Sequence, residues 1–234
     1  MSLKFIRRNY VKYNKGTGFL CCHVDAQHAA LPEADRFTGK IAAKLISQTG
    51  CAGIISTVSR TKADLNRGPD GKNNEALQEY RDAIKELLNH LGILDDEKHQ
   101  VTKPYLHLSI HGMKDVHHGP YAIEIGTLHG QSCSPEIKAW FQAILTTKSQ
   151  EILPKIDVIF DERFWGDKSI VFHRLGDEED YPGYGFNFHT FQIEVSRTLR
   201  ENYLSEIVAL FSQIIVEFQT KFVNQQWPRN TDYT

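Results

Sequence analysis

Short apolar segments alternate along this chain with longer amphipathic ones, and this alternation limits the possible fold more than any other feature. Residues 52–58 form an unbroken run of apolar and small side chains, which is typical of a buried strand. Between Asn74 and Leu91 apolar residues recur every three or four positions, which predicts a helix that ends at Gly92. Strands that alternate with helices favour helices on both faces of a mixed sheet. We therefore predict an α/β fold, a single three-layer αβα domain with a central mixed β-sheet over residues 1–234.

The same patterns locate the other elements of this predicted sheet. Further strands are predicted over residues 18–24, 105–110, 121–126, 156–160, 170–172 and 191–195, and further helices over residues 35–48, 135–144 and 203–222.

Composition excludes several classes of function. The formal net charge of this 234-residue chain is -2, so we expect no broad electrostatic attraction to nucleic acid or to an anionic membrane. Apolar runs stay shorter than the ~18 residues that span a bilayer, and the N-terminus lacks the apolar core of a signal peptide. The four cysteines lack zinc-ribbon spacing. We expect a cytoplasmic protein, whose oligomeric state the sequence does not reveal.

A charged loop follows the apolar run at residues 52–58, where open α/β sheets commonly place their binding sites. Residues 59–67 contain two arginines, an aspartate and an asparagine. An arginine presents a planar fork of donors that matches a carboxylate. The loop is therefore either a carboxylate-binding site or a solvated charged turn.

Polar clusters also end three of the predicted strands. One cluster spans residues 23–33, the second spans residues 109–112, and the third is Glu194 inside an otherwise apolar strand. Two histidines and a carboxylate form the ligand set of hydrolytic zinc sites, and a further carboxylate then acts as general base. Taken singly, each cluster also fits a structural histidine or a solvent-facing acid.

Taken together and in this order, five segments resemble the N-formylglutamate amidohydrolase family. They are residues 28–38, residues 59–67 with the sequence Asp-Leu-Asn-Arg at their end, residues 109–113, residues 125–127, and residues 191–197 around Gln-Ile-Glu. The family is related in fold to zinc carboxypeptidases and poly-γ-glutamate hydrolases. The resemblance implies one zinc ion bound at the carboxyl ends of the strands of an αβα domain.

The resemblance also implies the metal ligands. His111 corresponds to the downstream zinc histidine of the family. His28 and Glu33, with four residues between them, match the upstream spacing of poly-γ-glutamate hydrolases. His23 and Asp25 form the alternative upstream pair. Nitrogen and oxygen ligands in an open site favour zinc.

The resemblance assigns the remaining roles to the charged loop and the last strand. Glu194 is similar to the catalytic glutamate that deprotonates the attacking water and later protonates the leaving amine. Arg67 is similar to the arginine that binds the carboxylate of the substrate. Arg60 is expected to bind that carboxylate or to stabilise the oxyanion. Asn66 is expected to assist Arg60, and Asp64 is expected to orient the loop.

The expected function is a zinc-dependent amidohydrolase that cleaves an N-acyl amino acid such as N-formylglutamate. A carboxypeptidase-like or γ-glutamyl-peptide hydrolase and a non-catalytic carboxylate-binding protein are the alternatives. The acidic residues 177–180 would repel a dianionic substrate if they lined the pocket. An apolar wall for a larger acyl group is the competing possibility, formed by Phe164, Trp165, Tyr181, Tyr184 and Phe186.

Overall fold

Eight strands form one central sheet in the computed structural model, which describes residues 3–177 and 180–224. In sheet order they are β1 (Ile6–Arg7), β2 (Val11–Asn14), β4 (Ala52–Ser56), β3 (Cys22–Ala26), β7 (Tyr105–Met113), β10 (Phe188–Ser196), β8 (Ala122–Gly126) and β9 (Asp157–Phe160). A separate two-stranded ribbon pairs β5 (Leu94–Asp95) with β6 (Gln100–Val101). The three strands at the centre, β3, β7 and β10, run parallel, whereas β1 and β2 pair antiparallel with their neighbours. Strand β8 pairs antiparallel with β10 and parallel with β9. The predicted mixed sheet is confirmed.

Helices cover both faces of this sheet. Their bounds are α1 (Thr38–Thr49), α2 (Asn74–His90), α3 (Pro135–Ile152), α4 (Ser169–Leu175), α5 (Arg197–Asn202) and α6 (Leu204–Phe218), and a π-helical segment follows at Gln219–Asn224. Helix α6 packs between α1 and α3 on one face, and Phe141 of α3 stacks on Phe191 of β10 there. On the other face, Tyr80 of α2 donates to Asp25 of β3. The three-layer αβα architecture is therefore confirmed.

The two faces of the central strands differ in polarity. Alternate residues point to opposite faces of a strand, and one face carries mainly apolar side chains, such as Val24, Leu108 and Ile193, all buried. The opposite face carries aligned polar rows: His23, His107 and Thr190 form one, Asp25, Ser109 and Gln192 the next, and His111 and Glu194 the last. The last row lies at the carboxyl ends of the strands. The sheet thus directs a buried polar layer towards one edge.

Local differences from the predicted elements have simple causes. Residues 170–172, predicted as a strand, belong to helix α4, because three consecutive apolar residues are too few to separate a strand from a buried helix turn. The strand predicted over residues 18–24 is shifted to Cys22–Ala26. Strands β1 and β2 were not predicted. Among the described residues, the helices are too short or too polar to cross a membrane.

Candidate active site

Two histidines and an aspartate meet at the carboxyl edge of the sheet. His28 and Asp35 lie in the connection between β3 and α1, and His111 lies on β7. The Asp35 Oδ2 atom is 3.4 Å from Nδ1 of His28 and 3.5 Å from Nδ1 of His111. All three side chains are buried. We call these three residues the His-Asp-His cluster.

The spacing and orientation of this cluster fit a metal ion. Ligands about 2.1 Å from a tetrahedral metal lie about 3.4 Å from one another, close to the two distances above. The rings of His28 and His111 are nearly perpendicular, at 81°, rather than stacked, and both Nδ1 atoms lie on the side of the same Asp35 oxygen. The Nε2 atoms are engaged elsewhere, with Asp64 at 2.7 Å and Ser109 at 3.0 Å respectively. The donor set therefore suits zinc.

Electrostatics at the cluster favour a carboxylate anion beside a basic imidazole. Burial alone would raise the pKa of Asp35, but hydrogen bonds and charge interactions with His111 and His28 hold that pKa well below its usual range. Burial would lower the pKa of His28, but Asp35 and Asp64 raise it to about 8. A metal ion that binds here near neutral pH must therefore displace a proton from His28.

Asp35 occupies the position for which the sequence suggested Glu33. The Glu33 side chain is exposed, and its backbone carbonyl accepts a 2.8 Å hydrogen bond from Arg60 Nε. The chain turns back on itself between these residues, since Asp35 N donates to the His28 carbonyl at 2.8 Å. Spacing arguments missed Asp35 because this turn, rather than a regular strand or helix, sets its distance from His28. The only sequence signal was its place in the Ala-Asp-Arg-Phe-Thr segment that carries the family resemblance.

The alternative upstream pair belongs to a second group, His23, Asp25 and His107, which is also compact and buried. An imidazole binds a metal in its ring plane, but His23 and His107 stack with centroids 4.1 Å apart and planes only 10° apart. His107 is also occupied on both nitrogens, by Asp25 at 2.9 Å and by Thr190 at 3.2 Å. Nε2 of His23 lacks a hydrogen-bond partner among the described residues, but one free nitrogen does not overcome the stacking. This second group is therefore poorly shaped for a metal.

Glu194 lies next to the cluster, in register with His111 on the adjacent strand. Burial raises the pKa of its carboxyl group, with a further contribution from the negative charge of Asp35 and an opposing one from His111. Gln192 Nε2 donates to Glu194 Oε1 at 3.2 Å, and Asn66 Nδ2 donates to Gln192 Oε1 at 3.2 Å. A raised pKa is what a group that accepts and then returns a proton needs near neutral pH.

The charged loop of residues 59–67 closes one side of this site. Arg60 Nη2 donates to Asp35 Oδ1 at 2.9 Å, and Arg60 Nη1 lies 3.2 Å from Nδ1 of His28. Asp64, predicted to orient the loop, also accepts a hydrogen bond from the backbone N–H of Asn66 at 2.9 Å. Arg60 is thus placed against the metal cluster, whereas Asp64 ties the loop to His28.

Arg67 reaches across to the opposite wall. Its side chain is 56% exposed, and Nη1 forms a 2.8 Å ion pair with Asp167, which lies in the connection between β9 and α4. Because the guanidinium is solvent-accessible, a carboxylate ligand can reach it. Sequence analysis did not identify Asp167 as its partner, since 100 residues separate the two.

These groups line one cavity of about 410 Å³. It contains His28, Asp35, His111 and Glu194 together with Asn66 and four cationic side chains, Arg60, Arg67, Lys114 and Arg163. Phe164 and Trp165 of the predicted apolar wall also line it. A concave site that combines convergent polar groups with a titratable carboxyl group of raised pKa is typical of an active site.

The remaining predicted wall residues lie elsewhere. Tyr181 and Tyr184 line a different cavity next to α2, and Phe186 is exposed beside Arg174. Asp177 forms a 2.7 Å ion pair with Arg81, away from the main cavity. The predicted charges at 178 and 179 lie outside the described residues. Asp177 and Asp180 therefore do not oppose an anion in the main cavity.

Comparison with solved structures identifies the fold. An N-formylglutamate amidohydrolase from Ralstonia eutropha JMP134 superposes with a TM-score of 0.61 over 86% of this chain and 94% of its own, at 13% identity. The fold is that of this amidohydrolase. A gene product of Agrobacterium tumefaciens gives a TM-score of 0.60 over 91% and 96% of the two chains, also at 13% identity.

A more distant similarity extends to a protein from Burkholderia mallei ATCC 23344 that is provisionally described as a carboxypeptidase. Its TM-score is 0.52 over 91% of this chain and 60% of its own, at 14% identity. No family model matches this sequence, and no curated protein matches it. The resemblance inferred from the sequence is confirmed at the level of the fold.

Proposed function

We propose that this protein is a zinc-dependent amidohydrolase that cleaves the amide bond of an N-acyl amino acid such as N-formylglutamate. The observation that carries the proposal is the convergence, in one cavity, of the His-Asp-His cluster, the buried Glu194 and the accessible Arg67. The shared fold with an N-formylglutamate amidohydrolase supports it.

His28, Asp35 and His111 are the proposed ligands of the metal. When bound, a zinc ion lowers the pKa of a water molecule and polarises a carbonyl group. Three protein ligands leave a coordination position open, as catalytic zinc sites require.

Glu194 is the proposed general base and acid. It takes a proton from the attacking water and returns it to the nitrogen of the leaving amine, and its raised pKa suits both transfers. Gln192 orients the carboxylate through its 3.2 Å hydrogen bond. Arg60, held by Asp35, contributes positive charge beside the developing oxyanion.

Arg67 is the proposed anchor for the carboxylate of the amino acid. Its guanidinium offers the planar donors that a carboxylate accepts, and Asn66 lies next to it in the same cavity. The proposed ligand is therefore a small molecule that carries a carboxylate.

Hydrolysis of N-formyl-L-glutamate by the purified protein, followed as formate release, tests the proposal. We expect turnover that a chelator abolishes and that added zinc restores. Larger N-acyl amino acids, γ-glutamyl peptides and peptides with free C-termini belong in the same panel. Preferred cleavage of a peptide would instead support the carboxypeptidase-like alternative, and failure with every substrate despite bound zinc would support a carboxylate-binding protein.

A further inference from the structure

A buried hydrogen-bond network lies directly beneath the proposed metal cluster. The side chain of Asp25 is fully buried, and three donors reach it: the Tyr80 hydroxyl, His107 Nε2 at 2.9 Å and Ser109 Oγ at 2.6 Å. Ser109 lies two residues before His111 on β7, and its Oγ is 3.0 Å from Nε2 of His111. The network therefore connects the interior of the sheet to one metal ligand.

The direction of each hydrogen bond follows from the groups involved. An ionised carboxylate can only accept, so Asp25 takes the single hydroxyl proton of Ser109. Ser109 Oγ is then left to accept, and Nε2 of His111 must carry the donated proton. A neutral imidazole with a proton on Nε2 has its lone pair on Nδ1, the atom 3.5 Å from Asp35.

The other histidine of the cluster has its outer nitrogen bound directly by a carboxylate. Nε2 of His28 lies 2.7 Å from Oδ1 of Asp64, which accepts its proton when the imidazole is neutral. Nδ1 of His28 then presents its lone pair to the point that Nδ1 of His111 also faces. Outer partners that fix the tautomer and the ring orientation of a metal-binding histidine are a general requirement of metal sites.

We propose that Ser109 and Asp25 are positioning residues, which hold His111 in the Nε2–H tautomer so that its Nδ1 atom faces the metal position. This inference rests on the proposed metal site. It also gives a role to Asp25, which the stacked geometry of His23 and His107 makes unsuitable as a ligand.

Ser109→Ala is the decisive variant, because it removes the hydroxyl and leaves both neighbours in place. We expect its affinity for zinc, measured by competition with a chromophoric chelator, to fall about 10- to 100-fold. Ser212→Ala is the matched control, since it removes a buried hydroxyl without a partner among the described residues. Its zinc affinity should equal that of the unsubstituted chain. Equal affinity in Ser109→Ala would overturn the proposal.

Nitrogen-15 NMR of the histidine side chains in zinc-free protein gives a second readout that needs neither metal nor activity. At a pH high enough for the imidazole of His111 to be neutral, we expect the Nε2–H form in the unsubstituted chain and a mixture of tautomers in Ser109→Ala. An Nδ1–H form in the unsubstituted chain would refute the assignment. If the unsubstituted chain bound no zinc, the proposed function would fail, and this spectrum would still decide whether Ser109 fixes the tautomer.

Should Ser109→Ala not fold, Ser109→Cys is the second variant, because it retains similar volume with a weaker hydrogen bond. We expect an intermediate loss of zinc affinity in this variant.

Discussion

Two carboxyl groups in the cavity occupy opposite electrostatic environments. Asp35 has its pKa lowered by interactions with His111 and His28 that outweigh its burial, whereas burial raises the pKa of Glu194. Neighbouring carboxyl groups whose pKa values diverge commonly divide their roles. Asp35 is therefore suited to remain an anionic ligand, and Glu194 to exchange a proton.

Glu194→Gln tests this division of roles. The amide has nearly the same shape but cannot act as a base, so we expect bound metal to be retained and kcat to fall by about 10²- to 10⁴-fold. Steady-state kinetics and metal analysis of the same sample measure both quantities. Glu151→Gln, on the exposed end of α3, is the matched control and should retain full activity. Substantial residual turnover in Glu194→Gln would remove Glu194 from the mechanism.

At the scale of elements, the two connections that face each other across the cavity are joined by the Arg67–Asp167 ion pair. The first connection, residues 59–67, follows β4, and the second, residues 161–168, follows β9. Under the proposed function, a substrate carboxylate competes with Asp167 for Arg67. We therefore expect the pair to modulate the affinity of the site for anions.

Opposite effects on KM are expected from the two partners of this pair. Arg67→Ala removes the anchor and should raise KM for a carboxylate substrate about 10- to 100-fold with little change in kcat. Asp167→Asn removes the competitor and should lower KM by about two- to fivefold, the effect of a partly exposed ion pair. Initial-rate kinetics measure both variants. An unchanged KM in Arg67→Ala would show that Arg67 acts only structurally.

The second connection also packs tightly on the end of β8. A Cβ atom at Gly126 would lie 2.8 Å from the backbone of Gly166 and Trp165. We expect Gly126→Ala to displace this wall of the cavity and to destabilise the protein by about 1–3 kcal/mol. Chemical denaturation measures the loss, with Gly68→Ala as control because its new Cβ would only touch Phe172 at 3.4 Å. Equal stability of the two variants would contradict the tight packing.

The elements that could be predicted from sequence were those with a strong local pattern. Helix α2 lies where the periodic apolar residues predicted a helix, and β4 lies within the apolar run that predicted a strand. Helix α4 was wrongly predicted as a strand because the three apolar residues at 170–172 are consecutive and show no period. Asp35 and Asp167 were missed because turns and long-range folding, rather than local spacing, bring them to the cavity.

At the scale of the whole molecule, the protein interior contains histidines whose pKa is lowered. Burial, with neighbouring positive charge, lowers the pKa of His23 and His173 well below the ordinary value and that of His189 to about 3. The unfolded chain takes up these protons below about pH 6.5, whereas the folded chain does not. Their contribution to stability is therefore present above that pH and is lost as the pH falls.

This linkage predicts an acid-sensitive fold. Between pH 7 and pH 5 we expect the free energy of unfolding to fall by up to about 1.4 kcal/mol per pH unit for each such histidine. The contribution of His28 to the pH dependence of stability has the opposite sign. Its raised pKa stabilises the fold below pH 6.5, and this stabilisation is lost as the pH rises through about 8. Urea denaturation at each pH measures the slope. His189→Asn should reduce the slope, whereas His99→Asn, at an exposed position, should not.

The central claim is that His28, Asp35 and His111 hold one metal ion, and metal analysis by inductively coupled plasma mass spectrometry tests it most directly. After zinc is supplied and the excess removed, we predict close to one zinc ion per chain in the unsubstituted protein and in Glu33→Gln, and far less in Asp35→Asn. Zinc retained in Asp35→Asn but lost in Glu33→Gln would return the ligand to Glu33. The absence of zinc from the unsubstituted protein would contradict the account as a whole.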